Sequence, residues 1–325
     1  MAARALAILG CGWIARRHAA AARRLGIPVL AASRDLARAR AFARAVGALD
    51  AFGTYEAAVA DPRARAAIVC TPHDRHLADA ALALAAGRHV LVEKPIARTL
   101  DEADRLIAAA AAAGRLLMVA ENFHWMPAFR RVRALIEGGR LGELRELHLI
   151  ARGFRQLAGW RLEPGAVGGG ALLDGGIHYL HNLGWWGGDV RRVFALRPAQ
   201  TVRLGGEDAV DLLAELPGGA VGLVANSLAA RGISRFQWST VTGTLGTCFA
   251  DNRGRWVLLR GAGGTRLWLH ARDTRGHQAM LRAFEQAMDT GRAPETDGAS
   301  GRRDLALVLA AYRSIAERRP VEPAC

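Results

Sequence analysis

The stretch Leu6-Ala7-Ile8-Leu9-Gly10-Cys11-Gly12-Trp13-Ile14-Ala15 decides the fold. Its four leading apolar residues read as a buried strand, and G-x-G-x-x-A turns that strand into a helix expected over 13–25. The first glycine makes the tight turn, and the second lets backbone approach a pyrophosphate. Ala15 is small enough to pack helix on strand. Amides at the helix N-terminus, around Trp13 and Ile14, are then donors for the phosphates.

Moving outward, the same rhythm repeats. Apolar runs at 28–32, 66–70, 89–92 and 116–120 alternate with helical stretches at 34–46, 75–86 and 100–113. Short strands alternating with helices of 10–15 residues imply right-handed βαβ units and a parallel sheet. Residues 1–121 are therefore expected to form a Rossmann dinucleotide-binding domain. Beyond residue 140 the pattern changes to strands joined by tight turns, at 208–216, 220–225, 235–242, 246–250, 255–260 and 265–270. That is an α+β domain over 122–325 with an open, mainly antiparallel sheet. Two amphipathic helices close it, one with Met280, Phe284 and Met288 on a face, the other with Leu305, Val308, Leu309, Tyr312 and Ile315. The fold class is α/β.

Composition narrows the function classes. The chain has 325 residues, 51% hydrophobic and 23% charged, which excludes wholesale disorder. Its most apolar helical run, at 106–113, is too short for a membrane helix. The N-terminal apolar segment runs into Gly10 without a signal-cleavage pattern. Cys11, Cys70, Cys248 and Cys325 form no C-x-x-C pair and have no histidine at zinc spacing. A reducing, cytoplasmic setting with no metal and no disulfide framework is expected. The net charge of +14 raises the question of nucleic acid. The basic residues are spread over every expected helix, and they are forty-three arginines beside one lysine. Such a ratio reads as coding bias rather than as an anionic polymer partner.

The sole lysine, Lys94, lies in His89-Val90-Leu91-Val92-Glu93-Lys94-Pro95, at the carboxyl end of a strand where open α/β sheets bind ligands. A chain that uses arginine wherever charge suffices keeps a lysine where a compact, titratable ammonium is needed. Pro95 holds Lys94 extended. A third motif is Gly168-Gly169-Gly170-Ala171-Leu172-Leu173-Asp174-Gly175-Gly176-Ile177-His178. If 171–186 is helical, Asp174 and His178 share a face at i and i+4. The glycines cost a helix about 1 kcal/mol each relative to alanine, tolerable where a flat ligand approaches backbone. At the end of the second strand, Ser33, Arg34 and Arg38 suit a ribose 2′-phosphate. Asp35 could serve the ribose hydroxyl instead, though it better suits a helix start, where an acid complements the dipole. NADP(H) is favoured over NAD(H).

These motifs, with Thr71-Pro72 and His76, resemble the Gfo/Idh/MocA oxidoreductases, which include glucose–fructose oxidoreductase and inositol dehydrogenase. The resemblance continues through 136–144 and 301–321. It implies hydride transfer at a carbinol carbon of a sugar, cyclitol or related polyol, and a homodimer or homotetramer. It also implies that Lys94, Asp174 and His178 form the catalytic group. His76, Glu93 and Asn122 are expected beside Gly10, Gly12, Thr71 and Pro72 at the cofactor, and Trp160 and Arg161 at the substrate. Two positions depart from the family pattern. His181 stands where a carboxylate often follows the histidine by three residues, and His124-Trp125 where Arg-Phe or Tyr-Arg is common. Both are expected to border the substrate pocket.

A histidine ordinarily titrates near pH 6.5, so His178 suits general acid/base duty, with Lys94 polarising the oxygen; the reverse assignment stays open. Redox-neutral glycoside cleavage, imine or enone reduction and a non-catalytic nucleotide sensor are the alternative functions.

Overall fold

A computed structural model describes residues 4–233 and 236–324. Arg235, the expected start of one strand, and Cys325 lie outside them. The chain divides into two compact units, 1–121 with 277–302 and 122–276 with 303–325.

In the first unit the elements run β1 (Ala5–Leu9), α1 (Trp13–Arg24), β2 (Val29–Ala32), α2 (Leu36–Val46), β3 (Asp50–Phe52), α3 (Tyr55–Ala60), β4 (Ala64–Val69), α4 (His76–Ala85), β5 (His89–Val92), α5 (Leu100–Ala112) and β6 (Leu117–Val119). They build one parallel sheet of order β3-β2-β1-β4-β5-β6. Every residue of β1 and β2 is buried, which explains runs without alternation in strands covered on both faces. The strand order reverses between β1 and β4, so the carboxyl ends of these two strands flank the switch point where such sheets take ligands. Asp35 caps α2, its carboxylate accepting from the Arg38 amide at 3.2 Å. The sequence reading omitted β3 and α3. The strand has three residues, none of them buried, too little for a periodic signal.

The second unit contains α6 (Pro127–Glu137), β7 (Leu144–Arg152), α7 (Pro164–Val167), α8 (Ile177–Gly187) and β8 (Arg192–Leu196). The remaining strands are β9 (Ala209–Glu215), β10 (Val221–Ser227), β11 (Trp238–Gly243), β12 (Gly246–Asp251), β13 (Trp256–Gly261) and β14 (Gly264–Leu269). The sheet runs β14-β13-β12-β11-β7-β10-β9-β8. All its pairs are antiparallel except β7–β10, so β7 is inserted between two meanders. One face buries Leu147, Leu149, Leu212 and Val224, and α8 packs on β7 and β10. Helix α9 (His277–Thr290) packs on α1. It thus belongs to the first unit, whereas the expected boundary at 121 assigned it to the second. Helix α10 (Gly298–Glu317) closes the chain, with Leu305 and Val308 fully buried.

Candidate active site

The glycine turn after β1 has the geometry that its residues imply. Gly10 has φ +100°, and a Cβ there would lie 2.7 Å from the Cys70 carbonyl oxygen at the end of β4. Both facts require glycine. Gly12 is the N-cap of α1, with no side-chain cap and no acidic residue in the first turn, and a Cβ on it would meet nothing within 4 Å. The amides around Trp13 and Ile14 therefore keep their capacity for an anion. Beside this turn, Thr71 Oγ1 is buried without a hydrogen-bond partner, an orphan that a ligand would satisfy. Uncapped amides, close backbone and an unmatched hydroxyl at the switch point fit a dinucleotide pyrophosphate. At the end of β2, Ser33 is buried and its Oγ accepts from the Asp35 amide at 3.3 Å, which leaves the hydroxyl hydrogen to donate. Arg34 and Arg38 are exposed.

The strand end of β5 is braced from behind. Glu93 is buried; its Oε1 accepts from His18 Nε2 at 2.7 Å and its Oε2 from the Lys94 backbone amide at 3.2 Å. Burial pushes the Glu93 carboxyl up, but the His18 hydrogen bond and the charges of His18, Lys94 and His277 outweigh it, so the pKa is lowered. Lys94 itself is half-buried, and its bond to Pro95 is cis. His76 is fully buried, with Nδ1 2.8 Å from the Pro95 carbonyl and Nε2 3.1 Å from that of Thr71. Burial lowers its pKa, although both carbonyl contacts oppose the shift. Glu93 and His76, expected at the cofactor, spend their polar atoms on protein: Glu93 on His18 and the Lys94 amide, His76 on the Pro95 and Thr71 carbonyls. They are braces, because a strand end with few regular hydrogen bonds needs buried partners to hold its shape.

The lowered Glu93 pKa has a stability consequence. Its contribution is complete above the ordinary value of 4.5 and is lost as pH falls through the lower folded value. Glu93→Gln is expected to lower unfolding free energy at pH 7 by about 1.5–3 kcal/mol, the range of a hydrogen bond to a charged group. It should also flatten the acid limb below pH 4.5 in denaturant titrations. An acid limb as steep as the unaltered protein's would refute this.

In the second unit the glycine run is a packing device. A Cβ on Gly170 would lie 2.0 Å from the Glu207 carbonyl oxygen, and one on Gly169 2.7 Å from the Tyr312 hydroxyl. The amides that follow are capped from the same side. Gly170 N donates to Tyr312 Oη at 3.0 Å, Ala171 N to the Glu207 carbonyl at 2.7 Å and Leu172 N to Glu207 Oε1 at 2.8 Å. Burial raises the Glu207 pKa. Leu172–Gly176 winds as a π-helical turn that leads into α8. Such turns recur at functional sites, and here one replaces the regular i, i+4 helix expected from 171.

Asp174 sits in this turn and accepts from Arg161 Nε at 2.9 Å, both half-buried. The Arg161 guanidinium lies 4.4 Å from the Trp160 ring centre. Trp160, Arg161 and Asp174 therefore form one cluster, which joins the expected substrate residues Trp160 and Arg161 to Asp174, expected in the catalytic group. His178, at the start of α8, stacks on Phe123 with ring centres 4.2 Å apart and planes 8° from parallel. Asn122 donates to the Arg275 carbonyl at 2.8 Å. That bond ties Asn122, which follows shortly after β6, into the framework of the second unit. His181 and His124, expected to border the substrate pocket, are both buried and bond to one another at 2.9 Å.

Sequence reasoning missed His18, Phe123, Glu207 and Asp304. None lies in a motif; a buried histidine facing a carboxylate 75 positions away leaves no periodic trace. Among the described residues no group of three or more His, Cys, Asp or Glu is placed to hold a metal ion, and no helix is long and apolar enough to cross a membrane. Cys11, Cys70 and Cys248 are free thiols.

The profile described as "Oxidoreductase family, NAD-binding Rossmann fold" matches residues 4–121, and the "GFO/IDH/MocA C-terminal domain" matches 129–249. Trans-1,2-dihydrobenzene-1,2-diol dehydrogenase of Oryctolagus cuniculus is 34% identical over 206 residues, covering 62% of this chain and 61% of that protein. The chain thus spans about three fifths of the curated relatives it matches first. Myo-inositol 2-dehydrogenase of Thermotoga maritima is 27% identical over 98% of both chains. A solved structure titled levoglucosan dehydrogenase in complex with NADH superposes with a TM-score of 0.90 at 20% identity, covering 98% of this chain and 99% of that one. At that identity it shows the fold.

Proposed function

The chain belongs to the Gfo/Idh/MocA oxidoreductase family, and from that premise we propose that it transfers hydride between a nicotinamide dinucleotide and a carbinol or carbonyl carbon of a sugar, cyclitol or related polyol. The observation that carries the reading is Lys94. The only lysine of the chain stands at the carboxyl end of β5, its amide held by a buried glutamate that is itself held by His18. A bound nicotinamide dinucleotide supplies the hydride donor or acceptor. The Lys94 ammonium polarises the substrate oxygen. His178 exchanges the proton at that oxygen. Asp174 holds Arg161 at the substrate side. The names of the inositol and levoglucosan relatives support a polyhydroxylated substrate.

Absorbance at 340 nm, recorded with both cofactors over a panel of polyols, aldoses, cyclitols and their keto forms, tests the proposal. Turnover with at least one member is expected. Tight cofactor binding with substrate consumption and no net absorbance change would replace it by redox-neutral chemistry.

Ser33, Arg34 and Arg38 favour NADP(H). Arg34→Ala should erase most of the preference, a loss of roughly 10–150-fold in NADP(H) affinity for a charge-assisted bond of about 1.5–3 kcal/mol. Equal affinity for both cofactors in the unaltered protein would sink this.

The protein also assembles as a homo-oligomer in this reading. One cross-strand row runs through all eight strands of the second sheet: Phe194, Leu213, Leu223, His148, Thr240, Phe249, Leu258 and Leu267. Six of its members are apolar, and Leu213 and Leu267 are 48% and 58% exposed. The apolar members form two patches that flank His148 and Thr240; exposed apolar surface of this kind suits an interface, and a second copy offers a matching one. Light scattering should report a dimer or tetramer, and Leu213→Glu with Leu267→Glu should yield monomers. A monomeric unaltered protein would reject the assembly.

A further inference from the structure

Behind His178 the second unit contains a hydrogen-bonded chain of four side chains. Arg130 Nη1 lies 3.2 Å from His124 Nε2, His124 Nδ1 lies 2.9 Å from His181 Nε2, and His181 Nδ1 lies 2.9 Å from Asp304 Oδ2. His124, His181 and Asp304 are buried, and Arg130 is the exposed end. The His124 ring is also stacked on Trp185 at 4.0 Å.

Donor arithmetic gives this chain a single direction. A guanidinium only donates, so His124 Nε2 accepts and its proton is on Nδ1. His181 Nε2 must then accept, and its own proton, on Nδ1, goes to the Asp304 carboxylate. A charged His181 ring would force His124 to accept at both nitrogens, which only an imidazolate does. Both imidazoles are therefore neutral Nδ1–H tautomers, each of these three contacts is matched, and the ends carry opposite charge. Buried networks satisfied in this way are rigid.

The rigidity is passed on through the main chain. His124 is the neighbour of Phe123, the ring on which His178 stacks at 4.2 Å, and His181 is one helical turn beyond His178 on α8. We infer that Asp304, His181 and His124 are positioning residues that lock Phe123 as a shelf for the His178 imidazole. The effect on turnover rests on the reading of His178 as general acid/base; the effect on the ring's placement does not. The two departures from the family pattern, His124 and His181, are thereby one device, since each is the other's partner.

Nuclear magnetic resonance of the full chain with labelled histidine tests this. In the unaltered protein near pH 7, His124 and His181 should both appear as neutral Nδ1–H tautomers. An Nε2–H tautomer or an imidazolium at either position overturns the chain. The stacked Phe123 ring should shift the His178 ring protons upfield. His181→Gln should move them in the same direction as Phe123→Leu, and unchanged shifts in the folded variant overturn the positioning role. Asp304→Asn retains an acceptor for His181 and should leave the shifts in place, whereas Asp304→Leu should reproduce His181→Gln. This second pair keeps the test decisive if His181→Gln does not fold. For turnover, His181→Gln should lower kcat roughly tenfold or more with KM for the cofactor unchanged, as expected for a misplaced group. Added to Phe123→Leu it should cost little further, because both act on one ring. If His178→Asn retains full turnover while the shifts respond as described, the acid/base reading fails and the positioning stands.

Discussion

Lys94→Arg lowers kcat by roughly 10²-fold or more while cofactor affinity changes little; that is the expected result for an ammonium at the reacting oxygen. The swap keeps the charge, enlarges the head group and removes proton transfer near neutral pH. In a chain that already carries forty-three arginines, the same swap at an ordinary surface position would be silent. The environment sharpens the contrast. Lys94 is half-buried at the end of β5, where its chain neighbours Glu93 and Pro95 are buried. Steady-state kinetics on a confirmed substrate, with cofactor titration by fluorescence, checks both halves. Wild-type turnover in the variant would defeat the assignment and leave the lone lysine an accident of codon usage.

His178→Asn should lower kcat by roughly 10²–10⁴-fold, the usual worth of general acid–base help. The asparagine amide keeps a polar head of similar reach and has no titration, so the neutral limb of the pH–rate profile should flatten. Combined with Lys94→Arg, the loss should be smaller than the product of the two single losses, since residues serving one proton transfer act as a unit. A double variant that multiplies the separate losses would mean that the two groups work on different steps. Retention of the neutral limb in His178→Asn would move the titrating group elsewhere.

Much of the fold is legible in local sequence because its signals are local. The apolar runs without alternation, the G-x-G-x-x-A turn and the sequence Val92-Glu93-Lys94-Pro95 each report a strand end within a few residues. Asp35 is read as a helix start and is one. Elements with a weak local signature escape, as β3 and α3 did. So does any element whose partner is far along the chain: β7 is inserted between two meanders by a parallel pairing with β10, and α9 joins α1 across more than 250 positions.

The site divides along the same line. Residue types at Gly10, Gly12, Lys94, Asp174 and His178 name a chemistry by themselves, because turn geometry, a unique ammonium and a carboxylate–imidazole spacing are properties of short segments. Which of their neighbours touch ligand and which hold the framework is decided only in three dimensions. Glu93 and His76 have the side chains of ligand-binding residues but spend them on His18, Lys94, Thr71 and Pro95. His181, read as a pocket residue, is bonded into the interior between His124 and Asp304. The physical reason is that a buried polar atom must be matched. The identity of a residue states what it can donate or accept, and only the packed fold states which partner, for His181 one 123 positions away, has already claimed it.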